Sequence, residues 1–258
     1  MGRKERIDVL LVQRGLAESR SQAQRLVMAG QVRVGGELVH KPSRRVDGGA
    51  DISVEQRPRF VSRGGEKLLA ALEALPISVE GRICADVGAS TGGFADCLLQ
   101  HGAARVYAID VGHGILHYRL RNNPRVVLME RTNARKLESL PEPIELTTID
   151  ASFISLGLIW PAVRRWLIPH GDVIALVKPQ FEAGPKNVGK GGVVRDPAVH
   201  TQVLRATIAS ATENELAPQA LLRSPLQGPK GNIEFLLWCR ADAQPTDAEE
   251  LLQMVSLA

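Results

Sequence analysis

Apolar positions at the start of the chain recur with helical spacing. The apolar face that runs from Ile7 to Leu11 predicts a first helix, and Gly15 is a stop signal for it. Ser19 and Gln22 form a capping-box pattern, in which each side chain accepts a hydrogen bond from the other residue's backbone N–H. A second helix is therefore predicted to begin at Ser19. Short β-rich stretches follow at 31–34, 37–39 and 51–54. This part of the chain therefore predicts a small α+β module.

The rest of the chain alternates apolar runs with helical patterns. A polar, basic stretch with Gly and Pro at 56–65 is interpreted as a linker, so we expect two domains, residues 1–60 and 61–258. Strands are predicted at 83–87, 106–110, 126–129, 146–150, 172–178, 220–223 and 234–240, and helices at 93–101, 115–121, 156–167 and 198–212. This alternation is typical of the α/β class, with an open, mostly parallel, Rossmann-like sheet. Such sheets bind ligands at the carboxyl ends of their strands.

Composition narrows the class of protein. The chain has 258 residues, of which 44% are hydrophobic and only 4% aromatic, so its core must be aliphatic. No apolar run approaches the roughly 18 residues that span a bilayer, and the charged start does not resemble a secretory signal. Cys84, Cys97 and Cys239 lack the paired spacing of a zinc site or a disulfide framework. We therefore expect a cytoplasmic protein with no metal and no membrane partner.

Positive charge is concentrated in the first quarter of the chain. Residues 1–67 hold 14 Lys and Arg against 8 Asp and Glu, a net charge of +6, whereas the remainder carries −2. A basic module beside a slightly acidic body indicates a polyanion-binding attachment, although a solvated charged surface would explain the charge alone equally well. The candidate RNA-binding residues of this module are Arg3, Lys4, Arg6, Arg20, Arg25, Lys41, Arg44 and Arg45.

The loop after the first strand of the larger domain is rich in glycine. Gly88, Gly92 and Gly93 let the backbone pass close to a ligand at a helix N-terminus, but their G-x-x-x-G-G spacing argues against a dinucleotide site. Asp110 ends the next strand, where a carboxylate can accept hydrogen bonds from ribose hydroxyls. A glycine-rich turn in some other α/β domain remains the alternative interpretation.

Acidic residues and glycines in this order resemble the S-adenosylmethionine-dependent methyltransferases. The resemblance implies that Asp86 and the glycine loop hold the methionine end of the cofactor, and that Asp110 holds its ribose. Asn133 follows the third strand and either pairs with the adenine amino group or is structural. The candidate cofactor-binding residues are therefore Asp86, Gly88, Ser90, Thr91, Gly92, Gly93, Asp110 and Asn133.

Four charged residues are expected where the sheet opens: Lys67, Asp150, Lys178 and Glu234. Each alone could be a surface charge, but three of them stand at strand ends beside the glycine loop. A Lys–Asp–Lys–Glu set in this order resembles the FtsJ-type ribose 2′-O-methyltransferases, which implies that these four residues are catalytic. A lysine amine takes a hydroxyl proton only where burial and a second ammonium lower its pKa; otherwise it stabilises the developing alkoxide. The sequence leaves both roles open for Lys178.

A glycine-rich, basic segment at 182–196 follows Lys178 directly. We interpret it as a mobile lid that embraces the RNA backbone, with a floppy loop as the alternative.

The two halves of the chain resemble two known modules. The stretches Arg6–Leu10, Ser19–Ala23, Gly30–Gly36 and Lys41-Pro42 resemble the RNA-binding domain named after ribosomal protein S-four. Together with the segments 62–68, 110–112, 150–155 and 177–182, they resemble the TlyA family, whose members are often labelled hemolysins. This resemblance implies S-adenosylmethionine as cofactor, ribosomal RNA or ribosomal subunits as partners, and 2′-O-methylation of a cytidine in large-subunit RNA, in some members also in small-subunit RNA. We expect a monomer.

The stretch 115–118 departs from the Gln-Leu-x-Trp expected there, which puts local packing or cofactor affinity in doubt rather than the reaction. A catalytically silent RNA-binding protein and a pore-forming cytolysin remain as alternative hypotheses.

Overall fold

Residues 4–55 and 58–255 are described by the computed structural model, in which the chain divides after Pro58 into two units. The smaller unit contains β1 (Lys4–Arg6), α1 (Ile7–Gln13), α2 (Arg20–Met28), β2 (Val32–Val34), β3 (Glu37–Leu38), β4 (Arg45–Asp47) and β5 (Ile52–Val54). β1 pairs with β4, and β3, β2 and β5 form an antiparallel sheet of their own. Its core is aliphatic, with Ile7, Leu11 and Val27 fully buried.

The second helix of this unit begins where the sequence predicts, but its cap differs in one half. Ser19 Oγ accepts from the Gln22 backbone N–H at 3.2 Å, as expected. Gln22 Oε1, however, accepts from the backbone N–H of Glu18 at 2.6 Å rather than from that of Ser19. The Ser19 half of the capping box is therefore confirmed, whereas the Gln22 side chain binds the N–H of the residue that precedes the cap.

The larger unit alternates strands and helices. Its elements are α3 (Gly64–Ala74), β6 (Ile83–Val87), α4 (Gly93–Gln100), β7 (Arg105–Ile109), α5 (Tyr118–Arg121), β8 (Val126–Met129), β9 (Ile144–Ile149), α6 (Trp160–Trp166), β10 (Leu167–Val177), α7 (Pro179–Glu182), α8 (Pro197–Glu213), β11 (Leu216–Arg223), β12 (Phe235–Ala241) and α9 (Ala248–Gln253). Short 3₁₀ turns lie at Ala134–Lys136, Leu156–Leu158 and Pro185–Asn187.

The seven strands form one sheet in the order β11-β12-β10-β9-β6-β7-β8. The strands β10, β9, β6, β7 and β8 pair in parallel, and β12 pairs antiparallel with both of its neighbours. The α/β class and the mostly parallel sheet are therefore confirmed. Because β12 runs the opposite way, its first residues lie at the edge where β6, β9 and β10 end. The reversed direction of β12 therefore brings the residues before β12 close to the residues that follow β6, β9 and β10.

Several predicted boundaries differ from the structure. The helix predicted at 156–167 is a 3₁₀ turn followed by α6, whose first turn contains Pro161. The helix predicted at 115–121 begins only at Tyr118, after His117 as its cap. α9 was not predicted, and β10 is longer than predicted because a bulge between Leu167 and Asp172 extends its pairing with β9.

Part of the predicted linker packs into the larger unit. Phe60 is buried in the same apolar cluster as Leu68, and the backbone N–H of Val61 donates to Asp96 Oδ2 at 2.8 Å. A Cβ on Gly65 would lie 2.2 Å from the Phe60 ring, so only glycine fits there. These contacts fix the start of α3.

No helix among residues 4–55 and 58–255 is long and apolar enough to cross a membrane.

The buried carboxylate of Asp172 joins β10 to β12 and to the residue that precedes β6. Asp172 is fully buried and accepts from Arg82 at 2.6 Å, from Trp238 Nε1 at 2.9 Å and from Arg240 Nε at 3.1 Å. Charge-assisted hydrogen bonds of this kind stabilise the folded state only while both charges are present.

We predict that Asp172→Asn lowers the free energy of unfolding of the larger unit by about 3 kcal/mol, because two guanidinium groups lose their buried counter-charge. Glu249→Gln is the matched control, since Glu249 pairs with Arg205 at a largely exposed site and the change costs less than about 1 kcal/mol. Urea denaturation of both variants measures the difference. Equal losses in the two variants would contradict the role of Asp172.

Candidate active site and basic surface

The glycine loop between β6 and α4 packs tightly against the end of β9. Gly88 has a φ of 81°, and a Cβ there would lie 2.9 Å from the Asp150 carbonyl oxygen. Gly92, the cap of α4, has a φ of 96°, a backbone angle that residues other than glycine rarely adopt. The loop backbone therefore lies in direct contact with Asp150, one of the candidate catalytic acids.

Asp86 lies behind this loop rather than in a cavity. Its carboxylate is fully buried and accepts from Thr148 Oγ1 at 2.9 Å and from the Ala95 backbone N–H at 3.0 Å. Burial, with smaller contributions from the carboxylates of Asp150 and Asp110, raises the pKa of Asp86 to about 7. The two oxygens of Asp86 hold the first turn of α4 against β9, and its part in holding the cofactor stays a prediction.

Two adjoining cavities open beside the loop, with volumes of about 220 and 280 Å³. Both are lined by Gly88, Ser90 and Asp150. The first is also lined by the predicted residues Lys67, Thr91 and Gly93, and the second by Asp110 and Asn133. Of the predicted cofactor residues, Asp86 and Gly92 line neither cavity.

The two polar residues of the second cavity also have local partners. Asp110 accepts from the backbone N–H groups of Ser90 and Gly112, each at 2.7 Å, which aligns the loop with the end of β7. Asn133 Oδ1 accepts from the Arg135 backbone N–H at 3.1 Å and so caps a 3₁₀ turn. Asn133 therefore has the structural role that the sequence left open, and its amide nitrogen is the part that remains for a ligand.

The four candidate catalytic residues form two ion pairs. Lys67 Nζ lies 2.5 Å from Glu234 Oε2, and Lys178 Nζ lies 2.6 Å from Asp150 Oδ1. The second contact is a close approach of charges without hydrogen-bond alignment, and Lys178 donates instead to Ser152 Oγ at 2.9 Å. Lys67, Lys178 and Glu234 are buried.

The sheet topology explains why these residues meet. Asp150 and Lys178 follow the ends of the parallel strands β9 and β10, and Glu234 precedes the antiparallel strand β12. Lys67 lies on α3, one turn after its start. Lys67 shares the first cavity with Asp150, and Lys178 shares a third cavity with Glu234, so the two pairs adjoin.

The third cavity, of about 370 Å³, has aromatic walls that the sequence analysis missed. Phe153 is 90% exposed and has a φ of 62°, an unusual conformation for an aromatic residue. Its ring centroid lies 4.9 Å from that of Phe181. The available signal was an aromatic residue three positions after Asp150, in a chain with only 4% aromatic residues.

The segments that carry Asp150 and Lys178 are tied together beyond the ion pair. Glu182 accepts from Ser155 Oγ at 2.6 Å and from the Leu156 backbone N–H at 2.8 Å. Burial raises the pKa of the Glu182 carboxyl. These contacts fix the loop that presents Phe153.

The glycine-rich segment predicted as a mobile lid is anchored at its far end. Asn232 donates to the Gly192 carbonyl at 2.9 Å and accepts from the Val194 backbone N–H at 3.0 Å. Val193 and Val194 are buried, and Gly189 bridges to Val193. Residues 184–187, 189–191 and 195–196 are exposed, and Val188 and Gly192 line the third cavity, so the role of the segment as a lid stays a prediction.

The basic residues of the smaller unit differ in how they are held. Arg6 binds the buried Asp8 through two hydrogen bonds of 2.9 Å, and Arg20 and Gln24 donate to the same carboxylate at 3.1 and 3.0 Å. These donors, Arg6 first, lower the pKa of Asp8 well below its usual range. Asp8, which the sequence analysis missed, therefore orients two of the predicted RNA-binding side chains.

The other predicted cations have fewer partners. Arg44 lies 3.3 Å from Glu37, and Arg25 donates to Ser21. Lys4, Lys41 and Arg45 make no ion pair with the carboxylates that the structure describes. Arg3 lies outside the described residues.

Comparisons with known proteins match both units. A family model described as FtsJ-like methyltransferase matches residues 60–241, and one described as S4 domain matches residues 5–52. The 16S/23S rRNA (cytidine-2′-O)-methyltransferase TlyA of Mycobacterium tuberculosis is 47% identical over 93% of this chain and 91% of its own length. Hemolysin A of Brachyspira hyodysenteriae is 42% identical over 90% of this chain and 98% of its own.

A solved structure is also similar to nearly the whole chain. A Streptococcus thermophilus protein named as a hemolysin is 44% identical, covers 97% of this chain and 94% of its own, and superimposes with a TM-score of 0.73.

We predict that Gly88→Ala weakens S-adenosylmethionine binding at least about tenfold, because the added Cβ meets the backbone of Asp150 and Ala151, which cannot yield as a side chain would. Gly81→Ala is the matched control: its φ of 73° imposes the same backbone strain, but nothing lies within 4 Å. Isothermal titration calorimetry compares the two. Unchanged affinity in Gly88→Ala would show that the loop does not bind the cofactor.

Proposed function

Because the chain belongs to the FtsJ-like methyltransferase family, we propose that it methylates the 2′-hydroxyl of a cytidine in ribosomal RNA, with S-adenosylmethionine as methyl donor. The observation that carries the proposal is the pair of lysine–carboxylate contacts beside the glycine-loop cavities, at 2.5 and 2.6 Å. The name of the Mycobacterium tuberculosis relative supports the choice of cytidine and of ribosomal RNA.

The residues around the loop fit this cofactor. Gly88 lines both cavities beside the loop, and Asp110 lines the second of them with a carboxylate suited to ribose hydroxyls. Ile109, Val111 and Ile159 supply apolar walls for a nucleobase. S-adenosylmethionine supplies an electrophilic sulfonium methyl group, so this chain's residues need only bring the nucleophile into line with it.

Lys178 is the residue that we place against the 2′-oxygen. Its carboxylate partner Asp150 stabilises the charged ammonium, which favours the role of hydrogen-bond donor to the developing alkoxide. The hydroxyl proton passes to the Asp150 carboxylate, whose Oδ1 accepts no hydrogen bond from any described residue. Ser152 keeps Nζ in place at 2.9 Å, and Glu234 holds Lys67 as the second cation of the site.

The third cavity is the place that we propose for the acceptor nucleotide. Lys178 lines it, and Phe153 offers an exposed ring on which a base can stack. A base in this cavity would bring its ribose beside Lys178, between the base and the glycine loop.

The smaller unit supplies RNA affinity in this proposal. Its cations Lys4, Lys41 and Arg45 are exposed, and Arg6 and Arg20 are oriented by Asp8. Ribosomal RNA, alone or in a subunit, is the proposed partner, which implies a cytoplasmic protein, and we propose that it acts as a monomer. The cytolysin hypothesis, which rests on the hemolysin names of relatives, gains no support from the described residues.

We predict that Lys178→Met lowers the single-turnover rate of methyl transfer by about 100-fold or more, because the donor to the alkoxide is lost. Affinities for cofactor and RNA should stay near those of the wild type. Lys186→Met, which removes an exposed lysine of the neighbouring segment, is the control for loss of charge. Full activity of Lys178→Met would exclude Lys178 from the reaction.

We predict that the triple variant Lys4→Gln, Arg25→Gln, Lys41→Gln reduces the slope of log affinity for ribosomal RNA against log salt by about 2, because fewer counterions are released. The control removes three cations that already pair with carboxylates, in Arg33→Gln, Arg105→Gln, Arg205→Gln. Filter binding at several salt concentrations measures both slopes. If the control loses as much slope as the test variant, the RNA surface is not the one proposed.

A further inference from the structure

We propose that Glu182 is a positioning residue for the acceptor nucleotide, because its carboxylate holds the loop that presents the Phe153 ring at the third cavity. This inference rests on the proposed function, since it assigns the same cavity to that nucleotide and adds how its stacking surface is kept in place. Glu182 is the last residue of α7, four positions after Lys178. It lines neither the second nor the third cavity, whereas Phe153 lines both.

The loop after β9 is anchored on both sides of Phe153 by side chains that follow β10. On one side, Lys178 donates to Ser152 Oγ at 2.9 Å. On the other side, Glu182 accepts from Ser155 Oγ at 2.6 Å and from the next backbone N–H at 2.8 Å. Lys178 already has a part in the proposed reaction, so Glu182 is the anchor whose role is still to be assigned.

Phe153 needs such anchors, because its own contacts do not account for its conformation. Its φ of 62° lies in the left-handed region, which costs free energy for an aromatic residue and persists only where the surroundings impose it. The side chain is 90% exposed, so burial does not offset this cost. Its ring contacts that of Phe181, which lies on the same helix as Glu182. Helix α7 therefore contacts the loop both at the ring and at the downstream anchor.

The carboxylate of Glu182 acts as a hydrogen-bond acceptor rather than as a counter-charge. It makes no ion pair with a cation among residues 4–55 and 58–255, and burial raises its pKa. Holding a charge partly out of water without a counter-ion costs free energy, and the two hydrogen bonds to the loop are the contacts that offset this cost.

Substitutions at this position can separate hydrogen bonding from charge. A glutamine can accept from the Leu156 N–H through its oxygen and donate to Ser155 Oγ through its nitrogen, because that hydroxyl has a second lone pair beside the one that accepts from Gly157. A leucine has a similar size but can form neither hydrogen bond. Glu182→Gln therefore keeps the anchor without the charge, and Glu182→Leu removes both.

The experiment compares single-turnover rates of methyl transfer at saturating ribosomal RNA and S-adenosylmethionine. Glu182→Leu and Phe153→Leu should each lower the rate at least about tenfold, because a displaced or missing ring no longer stacks on the base. Glu182→Gln should stay within about threefold of the wild type. Affinities for cofactor and RNA should also change by less than about threefold, since the glycine loop and the smaller unit supply them in the proposed function.

The double variant Glu182→Leu, Phe153→Leu tests whether the two residues act together. If Glu182 acts through Phe153, its loss costs no further rate once the ring is absent, so the double variant should stay within about threefold of Phe153→Leu. Losses that multiply would overturn the inference, because Glu182 would then act independently of the ring. Ser155→Ala, which removes one of the two hydrogen bonds from the loop side, serves in the same cycle if Glu182→Leu does not fold.

Glu213→Leu is the matched control and should keep the wild-type rate, because Glu213 is an exposed glutamate at the end of α8. Thermal melting and S-adenosylmethionine affinity show that each variant is folded. A Glu182→Leu variant with the wild-type rate would overturn the inference, as would a Glu182→Gln variant as slow as Glu182→Leu. A wild type that does not methylate ribosomal RNA would instead contradict the proposed function.

Discussion

Two lysine–carboxylate pairs at one edge of the sheet, buried except at Asp150, are the constraint on which the rest of the larger unit depends. Taking such charges out of water costs several kcal/mol per ion, and their attraction offsets this cost only in close geometry. Lys67, Asp150, Lys178 and Glu234 come from four separate elements, so each element must be held in position for the pairs to form. The antiparallel strand β12 and the clamp of Glu182 on Ser155 are features that meet this requirement.

The same edge couples the glycine loop between β6 and α4 to Asp150, the acid of the second pair. Gly88 lies against the backbone of Asp150, and Asp86 fixes the start of α4 from behind through Thr148 and Ala95. A shift of the loop would therefore move Asp150, and with it Lys178. In the proposed function, this packing links the position of the cofactor to that of the nucleophile, as a reaction that relies on alignment requires.

The fold and much of the candidate site could be predicted from the sequence, because strand periodicity and strand-end charges are local signals. Asp150 and Lys178 were recognisable as residues that follow apolar runs. The inward role of Asp86 was not, since motif position does not say on which side of a loop a carboxylate lies. Phe153 and Asp8 were missed for a related reason: exposure of one and burial of the other depend on contacts between distant segments. The split of the predicted helix at 156–167 likewise follows from local 3₁₀ geometry that periodicity does not report.

We propose that this edge of the sheet activates a ribose hydroxyl rather than an atom of a base. Ribosomal RNA methylated with radiolabelled S-adenosylmethionine and then hydrolysed completely in alkali tests it directly, because a 2′-O-methyl group blocks cleavage of the adjoining phosphodiester. We expect the label in an alkali-resistant dinucleotide that contains 2′-O-methylcytidine. Label recovered only in single nucleotides would place the methyl group on a base and would contradict the assignment of the two ion pairs.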